Sequence, residues 1–136
     1  MRTLPMMAAA VAAAALTGCM DTAPPQDGLQ ADAKLQQMLT GKTAGAAMSC
    51  IPRIQAMNAR PLVTPSSIAF TAGGTVYVSN VDGSGCADAA NPNYSLITSS
   101  TGSDLCSGDR VELKDLQTGG FHGSCVLSDF VPYRTR

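Results

Sequence analysis

Five cysteines and a single histidine, His122, are the side chains of this sequence with the widest chemical reach. A thiolate can attack a carbonyl, ligate a metal or be oxidised to a disulfide. His122 stands three residues before Cys125, so a base and a nucleophile could be sought there. That pair needs a free thiolate and a shared face. Residues three apart on a strand point to opposite faces, which argues against it. Zinc needs ligands that converge at close spacing. Cys50, Cys86, Cys106 and Cys125 are 36, 20 and 19 residues apart. Asn80, Asp82 and Ser84 carry oxygen at alternate positions ahead of Gly85, like the first half of a calcium loop. The twelfth position is Asn91, which has no carboxylate. Gly41-Lys42-Thr43 matches the tail of a phosphate-binding loop, but Gln36 replaces the earlier glycine. We therefore expect no catalytic residue, no metal ligand and no cofactor.

The fifth cysteine belongs to a different context. Arg2 precedes an apolar, alanine-rich run at residues 6–16. As a helix this run would span roughly 16 Å, against a hydrocarbon core of about 30 Å. A charged start, a short apolar stretch and small residues at its end describe an export signal rather than a membrane span. The segment ends Leu16-Thr17-Gly18-Cys19. This resembles the lipobox of bacterial lipoproteins. The resemblance implies cleavage after Gly18 and diacylglyceryl and acyl chains on Cys19, with palmitate the expected acyl group. Two or more chains anchor stably where one binds only marginally. Met20 follows the cysteine, and by the enterobacterial sorting pattern this implies delivery to the outer membrane, facing the periplasm.

Loss of residues 1–18 would leave 118 residues with 8 basic and 10 acidic side chains, enough for one small domain. No basic run argues for nucleic acid. With no Trp, three Phe and three Tyr, large core side chains are scarce. A small domain of this kind gains from covalent help. An even count of cysteines after Cys19 reads as two disulfides in an exported chain. Closing loops of some 20 to 75 residues would stabilise by roughly 3–4.5 kcal/mol each. Three pairings are open. The expected topology is Cys86–Cys106, a local closure, with Cys50–Cys125 tying the ends of the domain together.

The elements that must position these groups follow from composition. Residues 20–27 read as a Pro-containing tether. A short helix is expected near 28–40, capped by Asp27 and ended by Gly41. Residues 43–48 continue the link, so that 19–48 forms the anchored tether and 49–136 the β domain. Pro52, Pro61 and Pro65 confine any strand near Ile54, Met57 and Leu62-Val63 to an edge. Residues 67–71 and 75–81 form a hairpin about Gly73-Gly74, with Ile68 and Phe70 on one side and Val76 and Val78 on the other. Residues 80–93 form a loop. Strands are expected at 94–98, 110–113 and 124–127, the last running on to Phe130, with a turn at 99–103. The fold class is all-β, a small antiparallel barrel or sandwich.

A series of short motifs runs through the domain: Cys50-Ile51, Ile68-Ala69-Phe70, Val76-Tyr77, Cys86, Leu105-Cys106-Ser107-Gly108-Asp109, and Cys125-Val126-Leu127-Ser128-Asp129-Phe130. Their order resembles a family of small Gram-negative envelope proteins of unknown function. Members often carry an acidic pair before the Ile-x-Phe strand, where this chain has Pro65-Ser66-Ser67. The resemblance implies a disulfide-bonded β fold and no activity.

These features point to a non-enzymatic, lipid-anchored envelope protein that binds a partner or plays a structural role. The loop at 80–93 is the first candidate surface, because long loops carry function. An inhibitor of an envelope hydrolase such as lysozyme is the alternative. An enzyme would require Asp82, Asp88, Asp104, Asp109 and Asp129 to meet in space.

Overall fold

The structure, a computed structural model, describes residues 26–52, 61–82 and 84–136. The expected export signal, Cys19, the expected tether to residue 25, Ile54 and Met57 lie outside these residues. Helix α1 (Gln26–Leu39) is followed by β1 (Lys42–Ala44), β2 (Cys50–Pro52), β3 (Leu62–Val63), β4 (Ser67–Ala72) and β5 (Thr75–Asp82). A 3-10 turn, η1 (Ser84–Cys86), leads to β6 (Tyr94–Ser99), β7 (Asp104–Cys106), β8 (Arg110–Asp115) and β9 (Phe121–Thr135). Seven strands make one curled antiparallel sheet, a half-barrel, in the order β3-β4-β5-β9-β8-β6, with β1 also on β9. Strands β2 and β7 form a separate two-stranded sheet. The all-β class and the two disulfides are as the sequence led us to expect.

The alternation of apolar residues assigns the two faces. Ile68, Phe70, Tyr77, Val111, Leu113, Leu127 and Phe130 gather on one face with Ile51, Leu105, Cys86 and Cys125. Phe70 and Phe130 meet edge to face, with ring centroids 6.0 Å apart. Ala69 and Val76 lie on the other face beneath Leu35 of α1, with Met38, Leu39, Val78 and Tyr133 around them. The helix thus buries its Ala31 and Leu35 stripe, the i, i+4 spacing of an amphipathic helix. It begins at Gln26, so Asp27 lies in its first turn rather than at the cap. Gly41 ends it with φ at 75°.

The β4–β5 hairpin forms as expected. Ala72 faces Thr75, and Gly73 and Gly74 take φ of 56° and 85°. Positive φ at both positions is what a type I′ turn demands. Two parts of the organisation differ from expectation. Residues 43–48 are not a link. Lys42, Thr43 and Ala44 pair with Thr135, Arg134 and Tyr133, and Met48 bridges Phe130. The β unit therefore starts at Lys42, not at residue 49. The last strand is also longer than expected: β9 runs for 15 residues through Pro132. The Pro132 carbonyl accepts from Gly45, so its missing N–H faces the edge where residues 45–47 leave the strand. A proline there costs no ladder bond.

Two bulges bend β9. Between the pairs Ser79–Phe130 and Val81–Leu127, Ser128 and Asp129 oppose Asn80 alone. Ser79, fully buried, donates its hydroxyl to the Ser128 carbonyl at 2.8 Å. Between Leu113–Gly123 and Lys114–Phe121, His122 is the extra residue.

Candidate functional site

The second bulge places the histidine. An unpaired extra residue shifts the strand's alternation and re-aims the side chain that follows. The expectation that His122 points away from the Cys125 face is thereby corrected. Its ring stacks on Tyr94, with centroids 4.0 Å apart and planes 19° from parallel. Tyr94 faces Asp115 across β6 and β8, in the strand that carries Leu96 against the Leu113 and Cys125 core.

The second partner comes from the loop after η1. Asp88 Oδ2 lies 3.0 Å from His122 Nε2. Both groups are partly exposed, 58% for Asp88 and 35% for His122, so the pair belongs to the surface. The loop is held from three directions. Cys86 bonds Cys125, both buried. Gly85 lies on the backbone of Gly123 and Ser124, where a Cβ on either glycine would strike main chain. The Asp88 carbonyl accepts from Asn91, and the Asn91 side chain accepts from Asn93.

A second carboxylate closes the β8–β9 turn beside this group. Asp115 Oδ1 accepts from the amides of Gln117 at 2.7 Å and Thr118 at 3.1 Å. The Thr118 and Gln117 amides hold this carboxyl below the usual Asp range, with the nearby His122 adding to the effect. The same hairpin presents Leu116 and Phe121 to solvent.

The cysteines pair differently from the expected topology. Cys50 and Cys106 sit directly opposite each other on β2 and β7 and are bonded, with Cα atoms 4.0 Å apart. Cys86 bonds Cys125 instead of Cys106. Loop length favoured the local closure, but strand register decides which Cβ atoms meet. Cys50–Cys106 lies at the surface and Cys86–Cys125 in the core.

The remaining candidates are dispersed or already engaged. Asp109 Oδ2 accepts from the Cys106 amide at 2.8 Å and shapes the turn at Gly108. Asp82 closes β5 opposite Val126, and Asp129 lies in the first bulge. Asp104, on β7, opposes Pro52 of β2. Among the described residues, no three of His, Cys, Asp and Glu are grouped to hold a metal ion. Lys42 Nζ donates to the Gly74 carbonyl at 3.1 Å, a structural role for the phosphate-loop look-alike. What the arrangement offers is a fixed surface of Asp88, His122 and Tyr94 beside two exposed apolar side chains. Sequence reasoning missed Tyr94 and Asp115. The motif Gly119-Gly120-Phe121-His122-Gly123 was the available signal, since glycines flanking an aromatic pair mark a turn and a bulge.

Comparison with known protein families, with curated proteins and with solved structures finds no match for this chain.

Proposed function

We propose that this chain is an exported lipoprotein, held at Cys19 to the outer membrane and facing the periplasm, whose β unit is a non-catalytic binding or structural module. The carrying observation is the use of the cysteines. Cys50, Cys106, Cys86 and Cys125 are consumed in two disulfides, which leaves Cys19 as the one cysteine outside the framework. Disulfides of this kind persist in oxidising compartments such as the periplasm. The state of the other reactive groups supports a non-catalytic task. The four thiols are oxidised, His122 is engaged by Asp88 at the surface, and Asp109 serves a turn.

Replacement of Cys19 by Ser tests the anchor. The wild-type chain should sediment with membranes, begin at Cys19 and carry acyl mass there. Cys19→Ser should be soluble with both disulfides intact. A Cys19→Ser protein that remains tightly membrane-bound would refute the reading.

A further inference from the structure

We propose that the β8–β9 hairpin and the start of α1 form a second membrane contact, in which Phe121 and Leu116 enter the headgroup–acyl boundary of the bilayer that holds the lipid anchor. This rests on the lipoprotein reading above.

Three large apolar side chains are more than half exposed among the described residues: Phe121 at 68%, Leu116 at 62% and Leu29 at 53%. All three lie toward one end of the molecule. The start of α1 is fixed by Gly28, which packs on Pro65 in the β3–β4 turn. From that turn, Ser67 begins β4 opposite Asn80, and Asp82 ends β5 opposite Val126. From Val126, β9 continues in the same direction to Phe121, roughly 16 Å further at the rise of a strand. The hairpin therefore projects past the start of α1. The other end of the sheet holds the Gly73-Gly74 turn, the end of β9 and Lys42, just past the helix C-terminus.

The covalent link sets the reach. Seven peptide units join Cys19 to Gln26, a contour of at most about 25 Å. That exceeds the hairpin's projection of roughly 16 Å by less than a nanometre. Because the tether joins the fold at the start of α1, an anchored Cys19 puts this end within contact distance of the lipid.

The surrounding charges are compatible with an interface. Lys114 lies directly opposite Phe121, and its long stem can carry the ammonium to lipid phosphate. The Asp115 carboxylate is already satisfied by turn amides, and Asp88 is paired with His122. Phe121 stands on the sheet face that α1 also covers, because Lys114 alternates with the core residue Leu113.

The chain has no Trp, so one introduced indole reports alone. The full acylated Phe121→Trp chain would be reconstituted in phosphatidylethanolamine–phosphatidylglycerol vesicles with brominated acyl chains. Emission should shift to the blue and fall about twofold, as for a ring seated roughly 5–10 Å into the boundary. Thr43→Trp, on exposed β1 at the other end, should be unaffected. An anchored Phe121→Trp chain with unquenched, solvent-like emission overturns the contact, as does an indole shielded instead by a co-purifying protein. If flotation and intact mass show no acylation, the anchor reading fails separately. The same chain mixed with the vesicles then decides, and absence of quenching ends the membrane contact too.

Discussion

Gly85 and Gly123 lie where the two main chains touch: the Gly85 carbonyl leaves no space for a Cβ on Gly123, and the Ser124 main chain leaves none for a Cβ on Gly85. This contact seats η1 on β9. It sets Cys86 over Cys125 and brings Asp88 to His122. Gly123→Ala should therefore destabilise the fold by about 1–3 kcal/mol or more, since main chain on both sides cannot yield as a side chain would. Chemical denaturation monitored through tyrosine fluorescence measures this. A Gly123→Ala protein as stable as wild type would show that the loop is seated otherwise.

The disulfides should differ in reactivity. Closed loops of 56 and 39 residues predict about 4 kcal/mol of stabilisation for each bridge. Non-reducing peptide mass spectrometry should recover Cys50–Cys106 and Cys86–Cys125. Mild thiol treatment should open Cys50–Cys106 first, because Cys50 is exposed while Cys86 and Cys125 are buried. Recovery of a Cys86–Cys106 peptide would contradict the β2–β7 register.

The Asp88–His122 pair should contribute little to stability. Exposed ion pairs are worth roughly 0–1 kcal/mol and weaken with salt. Asp88→Asn should cost less than about 1 kcal/mol. His122→Phe should retain the ring on Tyr94 while losing the carboxylate contact. A double-mutant cycle over Asp88 and His122 reads the coupling directly, and a value well above this range would mean that the pair is shielded from solvent in solution.

Acid should loosen the β8–β9 turn late in a titration. The Asp115 carboxyl is depressed chiefly by the Thr118 and Gln117 amides. A depressed folded value means that its contribution is present above the unfolded value of about 3.9 and is lost as pH falls through the folded value. Carboxyl carbon shifts should place Asp115 among the last carboxyls to protonate. Asp115→Ala should accelerate hydrogen exchange at the amides of Gln117 and Thr118 at neutral pH. Unchanged exchange would remove the proposed cap.

Much of the fold was legible locally. Ile68 and Phe70 alternate against Val76 and Val78, and Gly73-Gly74 marks the turn between them. The turn at Gly108 and Asp109 was readable for the same reason, that its chemistry is contained within a few residues. Strand β1 was not legible, because Lys-Thr-Ala has no apolar period of its own and pairs only because β9 offers an edge. The site was hidden in a comparable way. Asp88 and His122 are 34 residues apart, and only the bulge at His122 and the contact of Gly85 with Gly123 bring them together.

The sequence by itself determined the all-β class, the central hairpin and the four cysteines from Cys50 onward that are able to pair. It determined them because side-chain alternation and turn chemistry act over a few residues. The tertiary structure alone decided which cysteines pair, where the β unit begins and what surrounds His122. Those outcomes depend on register between distant strands, where one extra residue in β9 changes which side chains share a face.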